Sequence, residues 1–169
     1  MNKPEGERRS IDEVLATARA RLDRVQPDAL QRELLGGALL IDTRPVEQRS
    51  RDGELPGAII IDRNVLEWRL DPASDHRIAE VTGYDTRIVI VCNEGYSSSL
   101  AAAQLQDLGL HRATDLVGGY QAWLEAANGI GGQQQAVAEA LAPTVSVTAS
   151  VAQHSPSAGC ITGASASTV

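Results

Sequence analysis

The stretch Arg87-Ile88-Val89-Ile90-Val91-Cys92-Asn93-Glu94-Gly95-Tyr96-Ser97-Ser98 decides the fold. It joins a run of β-branched residues to a short polar loop with one glycine. An alanine-rich segment follows, Ser98–Leu108, stopped at Gly109. A continuous apolar run bounded by turn residues reads as a strand buried on both faces. Strand, short loop and helix in that order are half of a parallel crossover unit. Similar runs occur at Ala38–Asp42 and Ala58–Asp62, with a shorter one at Ala113–Val117, and Gly119–Ala127 reads as a last helix. Strands of this kind alternating with helices predict an α/β fold, a parallel sheet covered by helices on both faces.

Upstream, Ser10 and Glu13 have the spacing of a capping box, in which each side chain satisfies an amide at a helix start. Ile11, Val14, Leu15, Ala18, Leu22 and Val25 then recur at helical spacing as a packing stripe, ended by Pro27. A second short helix is expected over Asp28–Leu35, closed by Gly36 and Gly37. Residues 1–9 read as a disordered tail, and residues 10–127 as the folded domain. Residues 128–169 hold a single charged residue, Glu139, among Ala, Ser, Thr, Gly, Gln and Val. Gln133–Leu141 is compatible with a short helix, but the remainder buries too little to offset its ordering entropy, and the segment reads as a low-complexity, disordered tail.

The 169 residues suit one domain with extensions. Fifteen Lys and Arg against twenty-two Asp and Glu leave a net charge of −7, which argues against a nucleic-acid partner. Two cysteines, Cys92 and Cys160, cannot build a disulfide framework or a zinc cluster by themselves. The charged start lacks an apolar signal region, and no apolar run approaches the ~20 residues of a membrane span. These features lead us to expect a cytoplasmic protein with reduced thiols and no membrane association, its oligomeric state left open. His76, His111 and His154 have no partner at relay or ligand spacing, and Cys160 reads as an incidental thiol.

Cys92 heads the loop after a buried strand, at the sheet edge where open α/β folds collect ligands. Amides turned inward by a loop feeding a helix form an anion-binding nest, and Gly95 allows the left-handed backbone that such a curve needs. A thiol held there has a lowered pKa. The competing reading, a small apolar residue packed at a strand end, fits the polar loop composition less well.

Three segments resemble the rhodanese-like sulfurtransferases. Cys92 to Ser98 is similar to the family's active-site loop, opened by the catalytic cysteine. Leu40-Ile41-Asp42-Thr43-Arg44-Pro45-Val46-Glu47, followed by Gly53-Glu54-Leu55-Pro56-Gly57-Ala58, resembles its Asp-x-Arg…Gly-His-Ile-Pro-Gly-Ala stretch. Leu116-Val117-Gly118-Gly119-Tyr120-Gln121-Ala122-Trp123 resembles its Gly-Gly-x-x-x-Trp motif. The resemblance spans about residues 35–127, in order and at suitable spacing. It implies a five-stranded parallel sheet flanked by helices. It also implies transfer of a sulfane sulfur, from thiosulfate or a similar small donor to a thiol or cyanide, through a Cys92 persulfide and with no cofactor or metal. The persulfide would be held by the loop, Asn93, Glu94, Gly95, Tyr96 and Ser97.

Two positions depart from the family pattern. Ser97 stands where a basic residue often ends the loop, and Glu54 where the family has His. Arg63, after the second strand, is the first candidate for a substitute cation, with an ordinary surface residue as its alternative reading, and Arg69 and Arg44 are further candidates. Arg44 is more simply an ion-pair partner of Asp42 or Glu47, and Asp42 an organiser of its loop. Trp68 and Trp123 are expected to pack. A cysteine phosphatase reading fails because Ser98 stands where that chemistry needs an arginine. A non-catalytic binding or regulatory module is the alternative.

Overall fold

The computed structural model describes residues 8–140. Four parallel strands, β1 (Leu39–Asp42), β2 (Ile59–Ile60), β3 (Ile88–Val91) and β4 (Ala113–Asp115), lie in the order β2-β1-β3-β4. Among the described residues six α-helices accompany them: α1 (Ile11–Ala20), α2 (Leu30–Leu35), α3 (Val46–Asp52), α4 (Leu66–Leu70), α5 (Ser97–Asp107) and α6 (Gly119–Ala140). β3 is central, and all four of its residues are fully buried. Side chains alternate across a strand, so its apolar run supplies two cores. Ile88 and Ile90 join Ile41, Leu66, Leu70, Ala101, Ala102 and Leu105 on one face. Val89 and Val91 join Leu30, Leu40, Leu55, Leu116 and Tyr120 on the other. The α/β class and the helix-covered parallel sheet expected from the sequence are both present.

The sheet has four strands, not five. A fifth position exists only as a single parallel bridge between Val25 and Leu116. Val25 N–H donates to the Asp115 carbonyl at 3.0 Å and its own carbonyl accepts from Val117 at 2.9 Å. The next rung would need an amide from residue 27, which is Pro27 and has none. In the other direction, the Asp23 carbonyl is taken by the Thr114 hydroxyl at 2.8 Å. β2 likewise keeps only two residues of the run Ala58–Asp62.

The N-terminal capping box forms as the spacing requires: Glu13 N–H donates to Ser10 Oγ at 3.2 Å and Ser10 N–H to Glu13 Oε2 at 2.7 Å. The helix stops at Ala20 rather than at Pro27, because Arg21 to Val25 turn along β4 to make the bridge. Only Leu15 and Ala18 of its stripe are buried within the helix, while Ile11 is 65% exposed. Asp28–Leu35 divides into a 3-10 turn, Pro27–Ala29, and α2. The last helix continues past Ala127 to Ala140, and the rest of the C-terminal segment lies outside the described residues. No helix among the described residues is long and apolar enough to cross a membrane.

Candidate active site

β3 delivers Cys92 to the carboxyl edge of the sheet, and the loop from Cys92 to Tyr96 wraps back over the start of α5. Cys92 is buried, at 8% exposure, and lines a cavity of about 310 Å³ with Thr43, Arg44, Pro45, Gln48, Asn93, Glu94, Tyr96 and Ser97. The sulfur receives the Gly95 N–H at 3.2 Å and the Ser98 N–H at 3.4 Å. The Ser98 hydroxyl lies 3.2 Å away. Burial alone would raise the thiol pKa. Hydrogen bonds from the Ser97 and Ser98 side chains and from the Ser98 and Gly95 amides outweigh it, so the pKa falls below the ordinary thiol value. The sequence expectation of an amide cradle and an acidified thiol matches this geometry.

Close packing fixes the loop. Gly95 has φ +76°, and a Cβ there would come within 2.8 Å of the Gly118 nitrogen. At Gly119 a Cβ would meet the Cys92 carbonyl at 2.4 Å. The start of α6 presses on the loop from below, with Tyr120 N–H donating to the Cys92 carbonyl at 2.9 Å and Gln121 N–H to that of Asn93 at 3.0 Å. These glycines therefore do more than shape turns: they admit the loop backbone.

Asn93, Glu94, Tyr96 and Ser97 line the cavity with Cys92, and the Gly95 amide faces the sulfur. Glu94, Tyr96 and Ser97 are exposed at the rim. Arg63 is not among the lining residues. Its guanidinium is engaged by Glu67 at 2.7 Å and by Gln104, two turns into α5 from Ser97, at 3.1 Å. A 3-10 turn at Arg63–Val65, capped by the Asp62 side chain, carries it there. Arg44 adopts the structural role: its side chain is fully buried, pairs with Asp42 at 2.7 Å and stacks over Tyr120 at 3.5 Å. Asp42 organises its loop by accepting the Arg44 amide at 2.9 Å. Trp123 packs against Tyr120, whereas Trp68 is 58% exposed at the surface.

Sequence reasoning missed the residues behind the loop. Asp115, fully buried at the end of β4, accepts two bonds from Arg24, at 2.8 and 3.0 Å, and one from Ser99 at 2.6 Å. Ser98 Oγ lies 3.3 Å from the same carboxylate. Arg19, in the last turn of α1, donates to the Gly95 carbonyl at 2.8 Å and lies over the Tyr96 ring. A carboxylate inside the short apolar run Ala113–Val117 was the available signal, since a buried charge demands a partner.

The Rhodanese-like domain model matches residues 26–126. A protein of unknown function from Rhodopseudomonas palustris, a possible tyrosine phosphatase, is similar at 29% identity and a TM-score of 0.64, covering 75% of this chain and 97% of its own. The human single-domain sulfurtransferase is similar at 30% identity and a TM-score of 0.51, covering 60% of this chain and 95% of its own. With three motifs in place around one loop and a family match over more than half its length, the chain belongs to the rhodanese-like domain family.

Proposed function

We propose that the protein is a sulfurtransferase that carries sulfane sulfur on Cys92. The observation that carries this reading is the Cys92 sulfur itself, buried at the head of its loop, held by two amides and a serine hydroxyl and open to a cavity. The thiolate attacks the outer sulfur of a donor such as thiosulfate. A new S–S bond forms, the donor's S–S bond breaks, and its electron pair leaves on sulfite. The persulfide stays in the loop until a thiolate or cyanide attacks its outer sulfur and the Cys92 thiolate departs. The human relative is a sulfurtransferase by name, which agrees with this reading.

The cavity bears on the donor. Its lining holds one cation, Arg44, already neutralised by Asp42, and one anion, Glu94. Besides amides and hydroxyls, a dianion such as thiosulfate finds one guanidinium nitrogen with no partner among the described residues, Arg44 Nη1, and that charge is already shared with Asp42, so modest affinity is expected and a less charged persulfide donor suits the cavity better. Phosphate-ester chemistry is disfavoured because Ser98, where that chemistry needs an arginine, is buried and bonded to Cys92 and Asp115.

Intact mass after incubation with a sulfane donor tests the proposal. A gain of about 32 Da, one sulfur atom, that is lost on adding cyanide or reductant is expected. No gain with thiosulfate or a thiol persulfide, or a gain retained in Cys92→Ser, refutes it and leaves the non-catalytic module.

A further inference from the structure

The loop carries no cation of its own, yet two arginines reach it from outside the matched family region. Arg19 and Arg24 both precede residue 26. Both approach the Gly95 carbonyl, Arg19 Nη2 at 2.8 Å and Arg24 Nη2 at 3.5 Å. Ser99 Oγ lies 3.1 Å from that carbonyl and 2.6 Å from Asp115 Oδ2, and its single proton favours the shorter, charged acceptor. The carbonyl is therefore left mainly to the arginines.

That oxygen belongs to the same planar unit as the Tyr96 N–H. That peptide is trans, so the two point in opposite directions. Anchoring the carbonyl towards α1 turns the Tyr96 N–H away from it, and a cation on the oxygen polarises that N–H. The charges around the sulfur divide similarly. Asp115, behind Ser98, would oppose a thiolate, and Arg24 cancels it through two hydrogen bonds. On the cavity side Arg44 is cancelled by Asp42, and Glu94 lies exposed at the rim. Among the described residues Arg19 partners neutral groups, the Gly95 carbonyl, Ser99 Oγ and the Tyr96 ring, and so adds positive charge that no described carboxylate offsets.

We propose that the N-terminal segment completes the site: Arg19, seconded by Arg24, is a positioning residue that clamps the Gly95–Tyr96 peptide from behind and supplies the positive charge that Ser97 does not. The proposal deepens the sulfurtransferase reading and rests on it for the purpose of the clamp. The clamp's effect on the thiol is measurable without any donor.

The experiment uses the full chain in a Cys160→Ser background, so that Cys92 is the thiol read. The pH dependence of iodoacetamide alkylation gives the Cys92 pKa for Arg19→Ala, Arg19→Gln and Arg19→Lys, with thermal unfolding as a folding check. We expect Ala and Gln to raise the thiol pKa by about one unit and Lys to keep most of the wild-type value. Persulfide formation at neutral pH should fall several-fold in the first two variants. Glutamine keeps a polar donor on a shorter side chain and lysine keeps the charge and most of the reach, so a shift in Ala and Gln with rescue by lysine marks charge rather than packing. Unchanged pKa and persulfide rate in both Ala and Gln overturn the clamp. Shifted pKa values in a protein that takes sulfur from no donor uphold the clamp and refute the sulfurtransferase reading instead.

Discussion

The Ser98 hydroxyl stands between Cys92 and Asp115, 3.2 Å from the sulfur and 3.3 Å from Oδ2. One proton serves two acceptors. While Cys92 is a thiol, its S–H donates to Ser98, whose own proton goes to Asp115. Once the sulfur is ionised, that proton must turn to the sulfur. Asp115 tolerates the loss because Ser99 and Arg24 still hold it. Ser98 is thus a rotor set by the charge on Cys92, and the bond to it favours the thiolate.

Removing that rotor in Ser98→Ala should raise the Cys92 pKa towards the ordinary thiol value. A shift of about one unit lowers the thiolate fraction, and the alkylation rate, roughly ten-fold below the wild-type pKa. Stability should change by only ~1 kcal/mol, since Asp115 keeps its other donors. The pH profile of iodoacetamide alkylation reads the effect, and an unchanged profile would mean that the amides and Ser97 hold the thiolate without the Ser98 hydroxyl.

The lowered Cys92 pKa also links stability to pH. A group that ionises more readily in the folded chain than in the unfolded one stabilises the fold fully above its unfolded pKa. That stabilisation is lost as pH falls through the folded value. Against Cys92→Ser, the wild-type protein should therefore gain stability as pH rises from neutral past about 9, the usual thiol value. Urea unfolding of both proteins under reductant, at either end of that window, measures the difference. A pH-independent difference would place the folded pKa at its ordinary value.

Arg24 and Asp115 form the most deeply set ion pair behind the loop, with side-chain exposures of 18% and 0%. Arg24→Ala would strand a buried carboxylate, and a loss of about 3 kcal/mol is expected by urea unfolding. Adding Asp115→Asn should restore part of that loss, because the stranded charge disappears. A single variant as stable as wild type would show that water or Ser99 alone satisfies Asp115.

What could be read from the sequence was local or periodic. Ser10 and Glu13 are three residues apart, so their reciprocal bonds need no tertiary knowledge. The run Ile88–Val91 and the loop from Cys92 likewise carry their own signal of strand, nest and helix. The Arg24–Asp115 pair spans 91 positions and depends on Val25 docking beside β4, a pairing of one residue with no periodicity to betray it. Arg63 was misplaced for a related reason. Its position after β2 suggested the rim, but the Asp62-capped turn rotates it towards Glu67, and turn rotation is set by packing that residue spacing does not encode. The truncation at Pro27 was legible in principle, since a missing amide ends a ladder, although the residue read more readily as the end of a helix.

The cation that the loop lacks gives the sharpest test of donor choice. Ser97 is exposed, lines the cavity and begins α5. Ser97→Arg would place a guanidinium at the cavity beside Cys92, where the proposed thiosulfate donor would bring its oxygens, at a cost of a few tenths of a kcal/mol against the helix dipole. The KM for thiosulfate should fall several-fold, with the gain shrinking as salt is raised. Arg63→Ala should leave that KM unchanged, because Glu67 and Gln104 already hold its guanidinium away from the cavity. The reverse pattern, no response to Ser97→Arg and a raised KM in Arg63→Ala, would require Arg63 to leave Glu67 and Gln104 for the cavity when donor binds.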